Sequence, residues 1–488
     1  MCAQAVSEYK PRKPESGILH RLVSTHFDEF VESFEDPDSP ESGLPTFVRK
    51  EFERFLDCGI LERGFVLLFC DRCQREHAVA FSCKGRAICP SCGARRMQET
   101  AAHLVDDVLP DVALRQYVLS PPFELRGLLA CKREVLAKMV NFFVRAIFEQ
   151  LTDWARCQGL TGPKCGAVTF IQRFTKTLNI SPHLHVLVLD GVFANEEEGP
   201  RFVECPAPTN RDLLSLAQRV FKKMEKFLAK SGYLRSESDA LEEASLTPVE
   251  RWYVRGLAEP SMLSPSRIVD VKSTAIECGG FSVHAQVRVA QGDRRGRERL
   301  CLYAARPPFA EGQLRMTDDG RVRLTLRRPA KNGQGAIVLS PVQFLRRLAW
   351  LVPPPAQHQV RYAGVLASAS KVRRAIVPRP APVLQLAFPI ENMRPRVQKH
   401  RMSWAKLLAR VYSIDGERCL SCGGPLRPIG AVTESSHVAQ TLGRMRRQRC
   451  ARDPLSSPSI SDRLHKPTQG PKLRGSVLLV RAVARFVC

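Results

Sequence analysis

The alternation of apolar and polar positions along this chain switches between two periods, and each switch marks an element. Apolar residues spaced by three and four lie on one face of a helix. That spacing runs through Ile18–Phe34 and through residues 44–56, where Val48, Phe52, Phe55 and Leu56 carry it. It recurs in GARRMQETAAHLVDDVL, which opens on Arg95 and Arg96, and in Lys132–Asp153. A period of two, or a short unbroken apolar run, marks a strand. Arg115–Ser120, stopped by Pro121-Pro122, is one, and Ala167–Phe174 is a second. His185–Leu189, followed by an Asp190-Gly191 turn, is a third, and Gly280–Val289 alternates strictly. Farther on, Arg321–Arg328 and Gly335–Leu339 predict a β-hairpin that is basic on one side. Val342–Leu351 predicts a helix stopped by Pro353–Pro355. The mixture is α+β.

The same pattern divides the chain. Residues 1–43 are polar, broken by Pro and Ser-Pro, and hold at most one helix. Residues 44–110 form a cysteine-rich domain, and residues 111–374 a larger domain. Within the larger domain, 194–270 is a charged insertion with a helical patch at Asn210–Ser231. Residues 375–450 begin with a Pro-rich linker, Ala375–Phe388. A helix at Trp404–Tyr412 and a lone Cys-x-x-Cys follow. The tail, 451–488, is expected to be poorly ordered apart from a short apolar end, Val477–Val487.

Charge narrows the partners. With 74 Lys+Arg against 49 Asp+Glu, the 488 residues carry +25 and a pI near 9.7. An excess of that size calls for a polyanion, with nucleic acid first and an anionic membrane surface second. No apolar run reaches the ~18 residues of a membrane span. The first residues lack an apolar signal core. The expected location is cytoplasmic, associated with the nucleoid.

Cysteine usage points to metal rather than to disulfides in such a compartment. Of 17 cysteines, six fall between Cys58 and Cys92. Cys70 and Cys73, with Cys89 and Cys92, make C-x2-C-x15-C-x2-C, a spacing that closes a tetrahedral Zn2+ site. Cys83 is a fifth candidate, and Cys58 and His77 are weaker ones. Cys419 and Cys422 form a second knuckle, for which His437 and Cys450 are the available partners. A closed thiolate site serves folding and DNA contact, not chemistry.

The stretch NISPHLHVLVLDGVF, Asn179–Phe193, holds the other candidate site. Residues two apart on a strand share a face, so His183 and His185 stand side by side. Leu184, Val186 and Val188 face the other way. Two such imidazoles are either metal ligands or satisfied structural histidines. Arg294, Arg295, Arg297 and Arg299 form a basic run just ahead of Tyr303. Arg327 and Arg328 close the basic hairpin. All six are candidate DNA contacts.

With these blocks in order, the chain resembles the rolling-circle insertion-sequence transposases of the HUH class. The nearest group is the insertion sequence ninety-one family with its common-region elements. FSCKGRAICPSCGARR, NISPHLHVLVLDGVF, LCLYAARPP, RYAGVLA and WAKLLARVYSIDGERCLSCGG carry the likeness, over residues 20 to 440 or so. The resemblance implies an HUH-endonuclease-like antiparallel sheet behind the zinc ribbon. It implies a divalent ion, Mg2+ or Mn2+, on His183 and His185. It makes Tyr303 the nucleophile that cuts one DNA strand, leaving a 5′-phosphotyrosine. Arg306 would assist through the phosphate or the phenol, and Tyr362 is the reserve nucleophile. Some relatives carry Y-x-x-x-Y; here Arg299 and Pro307 flank Tyr303 at those distances, which marks the single-tyrosine kind. The tail beyond Cys450 departs from the family pattern. A replication initiator or relaxase of the same chemistry, or a zinc-dependent DNA-binding regulator, are the alternatives.

The third metal ligand follows from strand parity. Ser282, His284, Gln286 and Arg288 form the polar face of their strand. If that strand lies beside the one bearing His183 and His185, His284 completes a three-histidine set. Gln286, and more weakly Gln172, are the alternatives.

Overall fold

The computed structural model describes residues 13–35, 43–233, 249–250, 252–253, 275–329, 333–378, 418–419 and 421–450. The helix expected at Trp404–Tyr412, the linker beyond residue 378 and the tail from residue 451 lie outside the described residues. No helix among the described residues is long and apolar enough to cross a membrane. The chain divides into two compact units. One comprises residues 1–24, 52–85 and 403–488, the other residues 25–51 and 86–402.

The first unit is built on a hairpin, β1 (Phe65–Cys70) and β2 (Arg75–Ala80). A tight turn joins the strands, with Gln74 at φ 54°. The far edge of β1 is taken by β14 (Leu426–Val432), which pairs Phe65 with Val432 and Cys70 with Leu426. Alternation turns Phe65 and Leu67 inward, and they pack with Val438, Leu442 and Met445 of the helix Ser435–Cys450. This core is small.

The second unit is built on six antiparallel strands in the order β13-β4-β5-β3-β9-β8. They are β3 (Leu114–Ser120), β4 (Gly166–Phe174), β5 (Ile180–Leu189), β8 (Ile276–Cys278), β9 (Phe281–Val289) and β13 (Val360–Gly364). Alternation gives the sheet two apolar faces. Ala167, Ile171, Leu184, Val186 and Val188 pack against the helices Arg133–Cys157 and Asn210–Lys230. Val168, Phe170, Leu187 and Leu189 pack against Leu300, Cys301 and Ala304 of the helix Arg294–Ala304. β5 therefore lies in the middle of the sheet, covered on both sides, and its backbone is held rigidly. Pro182 is tolerated in this central strand because β3 pairs with it only as far as Leu184.

The charged segment after residue 190 is partly structural. β6 (Gly191–Glu196) and β7 (Gly199–Glu204) form a hairpin. The helix Asn210–Lys230 starts on a capping box of Thr209 and Asp212. It buries Leu213, Leu216, Ala217, Val220, Met224 and Leu228 at helical spacing. At the end of β5, Asp190 is buried and accepts from Arg115 Nε and Nη2 at 2.7 and 2.8 Å, and from Arg288 Nε at 2.9 Å. Gly191 is obligatory there, since a Cβ would lie 2.1 Å from the Val203 carbonyl oxygen. A second small sheet, β10 (Leu314–Met316), β11 (Val322–Thr325) and β12 (Ala336–Leu339), contains the expected basic hairpin.

Candidate active site and metal centres

His183 and His185 project from one face of β5 with ring centroids 5.1 Å apart. His183 Nδ1–H donates to the Ser181 carbonyl at 2.8 Å, which leaves the lone pair on Nε2. The side-chain amide of Gln116 on β3 lies 2.5 Å from His185 Nδ1; with its oxygen turned to that nitrogen it accepts from Nδ1–H and leaves the lone pair on Nε2. The His185 Nε2 is buried and has no hydrogen-bond partner. Burial holds the His185 pKa down to about 3, helped by His183 and Arg306. Burial lowers His183 as well, against the raising effect of its bond to Ser181, and Arg306 and Arg126 add to the lowering. Both rings are thus neutral at physiological pH. Paired neutral imidazoles with idle Nε2 atoms form a donor set suited to a divalent cation.

Tyr303 lies on the helix Arg294–Ala304, 45% exposed, with its ring 5.6 Å from that of His185. The helix end is fixed by Gln172 on β4, which pairs with His183 across the ladder. Its Nε2 donates to the carbonyls of Tyr303 and Ala304 at 3.3 and 2.8 Å. Its Oε1 is buried without a partner, on the histidine face of the sheet. Arg306 follows the helix rather than continuing it, and its guanidinium lies 4.4 Å over the Tyr303 ring. Arg327 feels the charges of both Arg306 and Tyr303. Arg126, on the helix Leu125–Cys131, acts electrostatically on His183. Among the described residues, none of these three arginines makes an ion pair, which leaves a cationic rim around the phenol.

The structure redistributes several expected roles. His284 is not the third ligand. It pairs with Val118 of β3, and so does His185, so the two histidines share a row with one strand between them. Two strand spacings put their backbones about 10 Å apart. Among the described residues no third His, Cys, Asp or Glu forms a metal-sized group with His183 and His185. Parity places a residue on a face, but strand order sets its distance. Gln286 is exposed on the same outlying strand. Gln172, the weakest expectation, is the one beside the pair. Gln116 and Arg126 carry no motif and were missed; only the strand and helix neighbours of β5 identify them. Tyr362 is half-buried on β13 with Arg373 over its ring, a packing role.

The basic run also divides. Arg297 is buried and pairs with Asp111, so it is structural and not a DNA contact. Arg294 pairs with Asp106. Arg295, Arg299, Arg327 and Arg328 are exposed.

In the first unit, the thiols of Cys70, Cys73, Cys419 and Cys422 lie within 4.8 Å of one another. Cys70 Sγ is 3.4 Å from Cys422 Sγ, and Cys73 Sγ 3.5 Å from Cys419 Sγ. His77 Nε2 lies 3.3 Å from Cys419 Sγ. Burial works against ionisation of Cys419, but the N–H groups of Ser421 and Cys422 overcome it and bring its pKa to about 6. Four thiols at this separation fit tetrahedral Zn2+. Cys89 and Cys92 belong to the second unit and take no part in this group. The grouping expected from spacing, Cys70 and Cys73 with Cys89 and Cys92, is therefore corrected: the Cys70–Cys73 knuckle takes Cys419 and Cys422 instead. Sequence spacing cannot anticipate β14, which seats Leu426 beside Cys70 and brings the C-terminal knuckle with it. His437 is exposed and pairs with Glu434, away from any such role. The side chain of Cys450 lies outside the described residues.

Comparison with known proteins gives two family matches. Residues 166–374 match the family described as "Putative transposase", and residues 23–121 the one described as "Transposase zinc-binding domain". The first interval contains His183, His185 and Tyr303; the second contains Cys58 to Cys92. The chain is also 23% identical over 378 residues to "Putative transposase y4qJ" of Sinorhizobium fredii, covering 74% of this chain and 84% of that one. No solved structure matches.

Proposed function

We propose that this chain, which matches transposase families over residues 166–374 and 23–121, is a transposase of the insertion sequence ninety-one kind and that it cuts and rejoins single-stranded DNA through Tyr303, in rolling-circle transposition. The observation that carries this reading is the position of an exposed phenol against two buried, neutral, paired histidines. Structural histidines satisfy both ring nitrogens, whereas here the His185 Nε2 is left over. An exposed tyrosine beside them, ringed by unpaired arginines, suits a substrate that brings a phosphate.

His183 and His185 would hold the ion through Nε2, and Gln172 Oε1 is our choice for the third protein donor. A divalent cation bound there, Mg2+ or Mn2+, supplies Lewis-acid polarisation of the phosphate. The chain's own groups do the rest. Tyr303 Oη loses its proton and bonds to phosphorus as the bond to the 3′ oxygen breaks. That oxygen takes up a proton and leaves as a free hydroxyl. One phosphodiester is exchanged for another, so resealing by the reverse step needs no nucleotide cofactor. Arg306, over the ring, keeps positive charge beside the attacking group, and Arg327 and Arg126 can neutralise phosphate oxygens. Gln172 ties the nucleophile's helix to the ligand strand, so the attack geometry is set by the sheet.

The test is covalent capture. Incubation with a cognate single strand and Mn2+ should yield a denaturation-resistant adduct on Tyr303. The adduct should be lost in Tyr303→Phe, which keeps DNA binding, and unaffected in Tyr362→Phe. An adduct that persists in Tyr303→Phe overturns the assignment. Binding with no adduct in the wild type leaves a zinc-dependent DNA-binding regulator.

A further inference from the structure

Among the described residues, the large aromatic side chains that are exposed are Tyr303 and Phe123, and Phe123 is the more exposed of the two at 56%. Tyr303 has a reason to face solvent, but Phe123 has none in the fold. Its location is specific. β3 runs antiparallel to β5 with Leu119 opposite Leu184, so its last residue, Ser120, comes level with His183. Pro121 and Pro122 end the strand, and Phe123 follows directly. The next helix, Leu125–Cys131, packs on β5 and carries Arg126, whose guanidinium carbon is 5.6 Å from the Phe123 ring centroid. Arg126 Nε is buried without a hydrogen-bond partner.

The exposed ring is also held in place. Two prolines fix φ at the positions before it. The turn into β9 presses on them from behind: Gly280, at φ +76°, has no room for a Cβ, which would lie 2.5 Å from the Pro122 Cβ. A rigid, solvent-facing phenylalanine costs free energy in water, and rigid flat rings beside a cation are what unpaired nucleobases stack on. Pre-set geometry lowers the entropy lost on binding.

We propose that Phe123 is a stacking platform for a base next to the cut phosphate, with Arg126 contacting the backbone of the same nucleotide. This site would give the enzyme its preference for unpaired DNA, since a base held in duplex cannot reach the ring face. The inference rests on the proposed single-strand activity and names the part of the surface that reads the strand's unpaired state.

The test uses the full-length protein and a 20-residue oligothymidylate in which single thymines are replaced by 5-iodouracil, a base that photocrosslinks to stacked aromatic rings. The expected crosslink is at Phe123, mapped by mass spectrometry. Phe123→Ala and Phe123→Leu should weaken binding about fivefold to a hundredfold, the range of one lost base stack, while Phe123→Trp retains it. Because the ring is exposed, these variants should melt as the wild type does. Arg126→Gln should reduce the slope of log affinity against log salt by about 0.7. Wild-type affinity in both Phe123→Ala and Phe123→Leu, with no crosslink at residue 123, overturns the proposal. Its failure is distinct from failure of the catalytic reading. A Tyr303 adduct with unchanged Phe123 variants rejects only the platform, and stacking without an adduct rejects only the catalysis.

Discussion

The histidine site and the thiolate site at Cys70 are built by opposite means. His183 and His185 lie two residues apart on one central strand, and Gln116 and Gln172 meet them from the strands on either side. The ladder fixes all four positions, and the histidine rings are held by Ser181 and Gln116. The thiolate site joins Cys70 to Cys422, 352 residues apart in sequence. Short strands and a small core around Phe65 hold the segments that carry it. One site is a product of the fold; the other is part of what makes its unit fold.

This contrast predicts unequal responses to metal removal. Structural zinc contributes roughly 10–16 kcal/mol of apparent binding free energy to small zinc domains. A strong chelator should therefore open the β14-β1-β2 sheet to protease while the six-stranded sheet stays protected. Native protein should hold zinc by elemental analysis. Cys419→Ser should lose one ion and resemble Cys70→Ser in proteolysis, although the two lie at opposite ends of the chain. Cys419→Ser protein with the full wild-type zinc content would break the comparison.

The histidine site should show the reverse: large losses of activity with the fold intact. His183→Ala and His185→Ala should each slow adduct formation about 10³-fold, the several kcal/mol that a Lewis acid supplies. Gln116→Leu, acting only through His185, should cost about tenfold to a hundredfold. His284→Ala should stay within about threefold, because β3 stands between it and the pair. If His284→Ala matched His183→Ala, the strand order would be the wrong guide to the ligands.

The same contrast explains what could be read from the residues alone. The strands of the central sheet, the faces of β5 and the helix Arg133–Cys157 were legible because period two and period 3.6 are local properties. So was each Cys-x-x-Cys knuckle. The pairing of the knuckles was not, because it depends on β14 joining a hairpin more than 300 residues earlier. The distance to His284 failed for a related reason: a one-dimensional pattern does not state which strand is neighbour to which. The buried Arg297 looked like its exposed neighbours because Asp111, its partner, lies far back in sequence. Gln116 sits in an apolar strand with no motif, and only its approach to His185 shows its use.

A smaller effect separates the arginines. Arg295→Ala, Arg299→Ala and Arg327→Ala should each lower the salt slope of single-strand binding by about 0.7 and leave the melting temperature near the wild-type value. Arg297→Ala should do the opposite. It removes a buried guanidinium and leaves Asp111 without that partner, so it should lower thermal stability and leave the slope unchanged. A changed slope in Arg297→Ala would return that residue to the DNA surface.

The smallest expected effect concerns acid, and it tests whether His185 is neutral without metal. Its folded-state pKa is held near 3 by burial, against about 6.5 in an unfolded chain. Between these values the unfolded state binds a proton that the folded state does not, so stability falls as pH drops from about 6.5 towards 3. The loss is complete only below the folded pKa, and there is no effect above pH 7. Between pH 7 and pH 5 the linkage amounts to about 1–2 kcal/mol for this one group. The measurement is urea unfolding of the second unit in chelator, comparing wild type with His185→Asn at both pH values. The wild type should lose that much more than the variant, whose other titrating groups are the same. Equal losses would mean that His185 already carries a proton in the metal-free fold, and that the site must expel it before an ion can bind.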